Sequence, residues 1–164
     1  MRIWYFSPLL TWSINVAAWC IIHLGLGYLC SRISLARFDP SLRFYKTYWW
    51  EQNGKIYDSI FHVRRWKHLI PQGSKPYKGS FSLQHLNTSE PAYLMICIQE
   101  TIRAEFCHWV MMLPSVIFIL WNSLLAEFWI ILYAVIVNLF PIIMQRYNRP
   151  RFRTLLERQL VDVT

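Results

Sequence analysis

The chain has 164 residues, 55% of them hydrophobic and 17% aromatic, and carries a formal charge of +8 at pH 7. That length leaves room for one domain, and nine Trp in so apolar a chain fit a protein seated in a bilayer, where Trp and Tyr favour the interface. The basic residues lie beside apolar stretches, so anionic lipid headgroups or an anionic substrate are the expected partners and nucleic acid is not. The four cysteines form no CxxC pair, which argues against a disulfide or zinc framework.

Residues 9–29 form the first apolar stretch, long enough to cross a hydrocarbon core of about 30 Å. Its length, and the lack of a small-x-small site after it, predict a retained anchor and not a cleaved signal peptide. Asn15, Cys20 and His23 are its polar interruptions. Further on, Ile56, Ile60, Val63 and Ile70 recur near helical spacing. Asn53–Gly54 is a helix start or a hairpin turn, and the helix, ending at Pro71, is the preferred expectation. Residues 71–82 are rich in Pro, Gly and Ser and are predicted as loop.

Thr88, Ser89, Glu90 and Pro91 mark the next helix start. That helix is expected to run from about residue 92 into a second apolar span, 106–126, where Pro114 predicts a kink. A third span covers 128–144, so the turn between the two is expected around Glu127. Of the 17 Lys and Arg, 11 fall between Arg32 and Arg103, five follow Gln145, and Arg2 is the remaining one. Basic loops stay in the cytoplasm. The expectation is therefore an all-α, multi-pass integral membrane protein, one membrane domain over 1–164. It has three transmembrane helices, with a cytoplasmic helical segment (30–105) between the first two and a cytoplasmic tail (145–164).

Three groups of residues carry potential chemistry. On the second long helix, Glu100, Thr101, Arg103, Glu105 and His108 fall within an arc of roughly 200° at helical spacing. Glu105 and His108 are an i,i+3 pair, spaced so that a carboxylate can fix an imidazole tautomer and raise its basicity. An ionisable residue one turn inside an apolar span is a functional candidate. The bland alternative is an interfacial histidine flanked by snorkelling charges.

The second group is His62 to His68, where Arg64, Arg65, Trp66 and Lys67 form a basic, aromatic face suited to carrier phosphates or to headgroups. His68 is a possible second acid/base. The third is Gln145 to Arg151, where Arg146, Tyr147, Asn148 and Arg149, stopped by Pro150, exceed what a stop-transfer signal requires, with simple positive-inside anchoring as the alternative. In a three-span topology the second span starts near His108 and the third ends near Arg146 on one side, so their side chains are expected at similar depth, where they could meet.

Several chemistries lack their residues. No histidine begins an HxxxxD motif, and five histidines cannot supply a multi-His metal box. Phosphate loops and GxSxG elbows are missing from the sequence, and Cys107 reads as a buried structural thiol and not as a nucleophile. No metal or cofactor is expected.

The segments Phe61–His68, Glu100–Trp109 and Gln145–Arg151 resemble the glycosyl-4,4'-diaponeurosporenoate acyltransferase family, over roughly residues 40–155. The first span resembles the family only in being apolar, and the C-terminal tail is shorter and less basic than the family pattern. The resemblance implies a bacterial membrane enzyme of the last step of staphyloxanthin-type pigment synthesis. Such an enzyme joins a fatty acyl group, from acyl-CoA or another activated carrier, to a sugar hydroxyl of a glycosylated C30 carotenoid acid. Ester formation needs a base, donors for the developing oxyanion and a grip on the acyl donor. The expected roles are His108 as base and Glu105 as its orienting partner. Arg103, Arg146 and Asn148 would serve the carbonyl oxygen or the sugar, and Arg64, Arg65 and Lys67 the donor's headgroup or phosphates. A non-enzymatic membrane scaffold or lipid-binding accessory protein, or an acyltransferase for another glycolipid, are the alternatives.

Overall fold

The computed structural model describes residues 2–69 and 90–162, and every regular element among them is helical. Three of the helices are long and apolar enough to cross a membrane. The predicted loop at 71–82, the Pro71 helix end and the start residues Thr88 and Ser89 lie outside the described residues.

Helix α1 (Pro8–Arg32) opens on Ser7, whose hydroxyl accepts the Leu10 N–H at 3.4 Å, with Pro8 in the first turn. A proline there gives up an N–H that no helix would use. None of α1's apolar window is buried inside the protein. A helix that is apolar all round and packs so little protein is suited to lipid on its other faces. Its N-terminal end adjoins the far turn of the bundle. Ile3 and Trp4 donate backbone N–H groups to the Leu120 carbonyl at 2.8 and 3.0 Å, and Asn15 exchanges amide hydrogen bonds with Asn122 at 3.0 and 2.9 Å. Asn15 is therefore a lock between α1 and that turn.

After α1 the chain makes three short 3-10 turns, at Leu35–Arg37, Arg43–Tyr45 and Trp49–Gly54. The last ends with Gln52, Asn53 and Gly54 at φ 48°, 53° and 82°. Gly54 is needed twice over. Its φ is left-handed, and a Cβ there would stand 3.0 Å from the Tyr147 carbonyl oxygen. The helix expected from this point begins at Lys55 but does not run to Pro71. Helix α2 (Lys55–Phe61) breaks at His62, φ 51°, and α3 (Val63–Trp66) follows in a new direction. Side chains compete for the backbone at the break. Asp58 accepts the Arg64 N–H at 3.0 Å, and the Trp66 indole donates to the Phe61 carbonyl at 2.6 Å.

Helix α4 (Pro91–Met112) starts at the expected proline. Pro114 does not simply kink it. Lacking an N–H, the chain tightens into a 3-10 helix over Leu113–Leu120. The turn that follows is at 121–123, earlier than the Glu127 turn expected from sequence. The Asn122 amide caps the Phe118 carbonyl at 3.0 Å, and the Ser123 hydroxyl accepts the Ala126 N–H at 3.3 Å. Glu127 already sits in the first turn of α5.

Helix α5 (Leu124–Asp162) is one helix of 39 residues, roughly 58 Å long. It passes through both Pro141 and Pro150. The helix that carries the third apolar stretch therefore runs on past 144 without a break, and Pro150 does not stop it. Half of α5 stands beyond a hydrocarbon core of about 30 Å, and the described residues 33–69 fold against that half. Phe38, Tyr45, Cys97, Ile98, Ile102 and Phe152 form one buried cluster there, and Tyr57, Val63, Ile143 and Tyr147 form another. The packed core thus lies at one end of the molecule, while the opposite half of α5 shows Phe128, Trp129 and Val135 to the outside.

Candidate active site

At the packed end, Glu105 of α4 is fully buried and is held by two arginines of α5. Arg146 Nε donates to it at 2.7 Å, and Arg149 Nη2 makes a short contact to its other oxygen. The arginines are three residues apart, so they lie on neighbouring positions of one helical face. Arg149, 1% exposed, also donates to the Thr101 hydroxyl at 3.0 Å and to the carbonyls of Thr101 and Tyr45 at 3.2 Å. Arg146 reaches the Phe44 carbonyl at 2.7 Å and, at 3.4 Å, both the Lys46 carbonyl and the Glu51 carboxylate. Glu51, 1% exposed, accepts the Tyr48 backbone N–H at 2.6 Å and the Tyr57 hydroxyl in a short contact. Glu51, Glu105, Arg146 and Arg149 thus form a charge-balanced buried network. It ties α4, α5 and the 44–57 segment together.

Burial, and then the hydrogen bond to Glu51, push the Tyr57 phenol well above its ordinary value, so it stays a donor. Tyr45 is raised as well, by burial first and by the charge of Glu105 second. Both effects penalise the phenolate, one by desolvation and one by repulsion.

His108 does not pair with Glu105 as expected. The carboxylate is committed to the two arginines and, at 3.4 Å, to the Trp109 indole. The imidazole Nδ1 lies 2.9 Å from the Asn138 side-chain oxygen across the α4–α5 interface. Charge complementarity explains the exchange of partners, because a buried carboxylate is better satisfied by two guanidiniums than by a neutral ring.

The other expected residues fall into two sets. Glu100 and Arg103 pair with each other at 2.7 Å, and Arg103 also donates to the Ser31 carbonyl at the end of α1. Arg64, mostly exposed, pairs with Asp58 at 2.9 Å and reaches the Tyr147 hydroxyl at 3.2 Å. Tyr147 itself is buried beneath the guanidinium of Arg151 and near the Lys67 ammonium. Trp66 packs its ring edgewise against Phe140. These contacts bring the 62–68 segment onto α5 beside the network. Arg65, Lys67 and His68 are exposed at its surface, and Asn148 is half-buried.

Glu51 and Tyr57 were missed by sequence reasoning. The signal available was that Glu51 is one of few acids in a strongly basic stretch, beside Asn53–Gly54. Asn138, a polar residue inside the third apolar stretch, belongs to no motif in the sequence. No group of three metal-ligating side chains occurs among the described residues.

Fold and site together define a small all-helical protein of the polytopic class, with an ion network and a histidine at one end of three apolar helices. The sequence profile of the glycosyl-4,4'-diaponeurosporenoate acyltransferase family matches residues 41–158. Similar proteins include glycosyl-4,4'-diaponeurosporenoate acyltransferases of Staphylococcus aureus. That of strain N315 is 38% identical over 138 residues, 84% of this chain and 83% of the relative, and that of strain USA300 is 37% identical over the same shares. No solved structure matches. The chain belongs to the glycosyl-4,4'-diaponeurosporenoate acyltransferase family and is an acyltransferase.

Proposed function

We propose that the chain esterifies a sugar hydroxyl of a glycosylated diaponeurosporenoate with a fatty acyl group, at the cytoplasmic face of a bacterial membrane. The carrying observation is the meeting of His108 with α5, one turn from the buried Glu105–Arg146–Arg149 network. His108 takes the proton of the sugar hydroxyl as its oxygen attacks the acyl carbonyl. The new ester C–O bond forms, the bond from acyl carbon to carrier breaks, and the proton passes to the departing carrier.

The guanidiniums of Arg146 and Arg149 are engaged by protein groups, which suits them to hold the 44–51 segment over the site. Arg65 and Lys67, exposed beside α5, are placed to take the donor's phosphates or headgroup, and half-buried Asn148 to meet the sugar. His68, exposed beyond α3, serves the donor side in this reading. The apolar tails of both substrates remain in lipid along α1 and the outer faces of α5.

A base of this kind contributes about 10²–10⁴-fold to turnover. His108→Ala, at matched membrane levels in a host that makes the carotenoid glycoside, should lose the acylated product by a comparable factor. Lipid mass spectrometry reads the gain of one acyl unit. Unchanged product from His108→Ala would remove His108 from the chemistry, and an acyl gain on a different glycolipid would redirect the acceptor.

A further inference from the structure

A histidine acts as a base only through the nitrogen that lacks a proton, and the hydrogen bond made by the other nitrogen decides which one that is. The surroundings of His108 make that choice. Asn138 is 1% exposed, and its Nδ2 donates to the Ala134 carbonyl, one turn back on α5, at 2.9 Å. A carbonyl only accepts, so the Asn138 amide cannot be turned round without setting two oxygens against each other. Its oxygen must face His108, 2.9 Å from Nδ1. An amide oxygen also only accepts, so Nδ1 must carry the hydrogen.

We propose that Asn138 is the positioning residue of the acyl transfer: it holds His108 in the Nδ1–H tautomer, leaving Nε2 as the basic nitrogen. This rests on the reading of His108 as the base. Neutral imidazole in water prefers the opposite tautomer, so the choice has to be imposed. Glu105, on the same helix, is tied to Arg146 and Arg149. His23, the other histidine within an apolar span, has its own Nδ1 bonded to the Trp19 carbonyl at 3.0 Å. An amide also differs in effect from a carboxylate. It fixes the tautomer without adding a charge, which suits a base placed among apolar helices.

The test uses the full-length protein labelled with 15N-histidine in lipid nanodiscs, at a pH where free imidazole is neutral. The resonances absent from His108→Ala identify His108. In the wild type they should report a protonated Nδ1 and a bare Nε2. In Asn138→Leu the populations should shift to protonated Nε2, whereas Asn138→Asp, which keeps an acceptor oxygen, should retain protonated Nδ1. Turnover of Asn138→Leu should fall by a factor approaching the about 10²–10⁴-fold that a base contributes, with the KM of both substrates unchanged.

A wild-type His108 protonated on Nε2, or one whose tautomer ignores Asn138→Leu, overturns the assignment. If Asn138→Leu does not insert, the wild-type and Asn138→Asp resonances decide it. Activity retained in His108→Ala sinks the catalytic reading by itself, because the resonances are measured without turnover.

Discussion

At the scale of single residues, the site is governed by which charges are buried and what faces them. Among the described residues Glu105 is the one carboxylate that both Arg146 and Arg149 touch; Glu105 and Arg149 are sealed from bulk water, and Arg146 is 13% exposed. Removing one partner of a buried ion pair leaves the other desolvated and unpaired, which costs about 3–5 kcal/mol. Glu105→Gln should therefore unfold at markedly lower temperature in detergent, and lose activity through loss of the fold. His108→Ala, which removes a neutral side chain and leaves the amide oxygen of Asn138 unpaired at a cost of about 1–3 kcal/mol, should melt above Glu105→Gln while losing turnover. Equal melting temperatures for Glu105→Gln and wild type would show that the network does not hold the packed end together. Comparing melting temperature with turnover thus separates the residue that supports the site from the one expected to act in it.

At the scale of elements, the 3-10 turn over Trp49–Gly54 positions Glu51 against α5. It does so because three successive residues adopt positive φ, and because glycine at the last of them lets the backbone come up against Tyr147. A Cβ at Gly54 meets both the Tyr147 carbonyl oxygen and, at 3.1 Å, the Arg151 guanidinium. A left-handed non-glycine residue costs about 1–3 kcal/mol before any such contact. Gly54→Ala should lower stability by at least that much and detach Glu51 from Arg146, seen as faster protease cleavage within residues 44–57 of the folded protein. A fully stable Gly54→Ala would mean that the turn moves without cost. Asn53–Gly54 was recognisable as punctuation in the sequence. That it presses against α5 was not, since the partner backbone is about 90 residues away.

For the whole molecule, the two ends differ in kind. One end carries the N-terminal end of α1 and the 121–123 turn, joined by the Asn15–Asn122 amides. The other carries the ion network and the second half of α5. The proposed topology, a bilayer across the apolar helices with the first end outside and the second in the cytoplasm, rests on the rule for basic residues. Cysteine substituted at Ser123 should react with an impermeant maleimide on intact cells, and cysteine at the exposed His68 only after the cells are opened. The reverse pattern would invert the topology and place the site outside.

Three apolar spans, their basic flanks and the grouping of ionisable residues near 100–108 and 145–151 were fixed by composition along the chain, because each is a property of a local stretch. Hydrophobic length decides a span wherever the stretch lies, and the helical repeat alone puts Glu105 and His108 on one arc. The partners were decided only in three dimensions. Glu105 turned from His108 to two arginines, and His108 turned to Asn138. Glu51 entered the site from a segment with no motif of its own, and α5 ran on through two prolines. Each outcome depends on which side chains the packing of α4 on α5 brings within about 3 Å, and at that range burial makes charge balance and saturation of hydrogen bonds outweigh spacing along one helix.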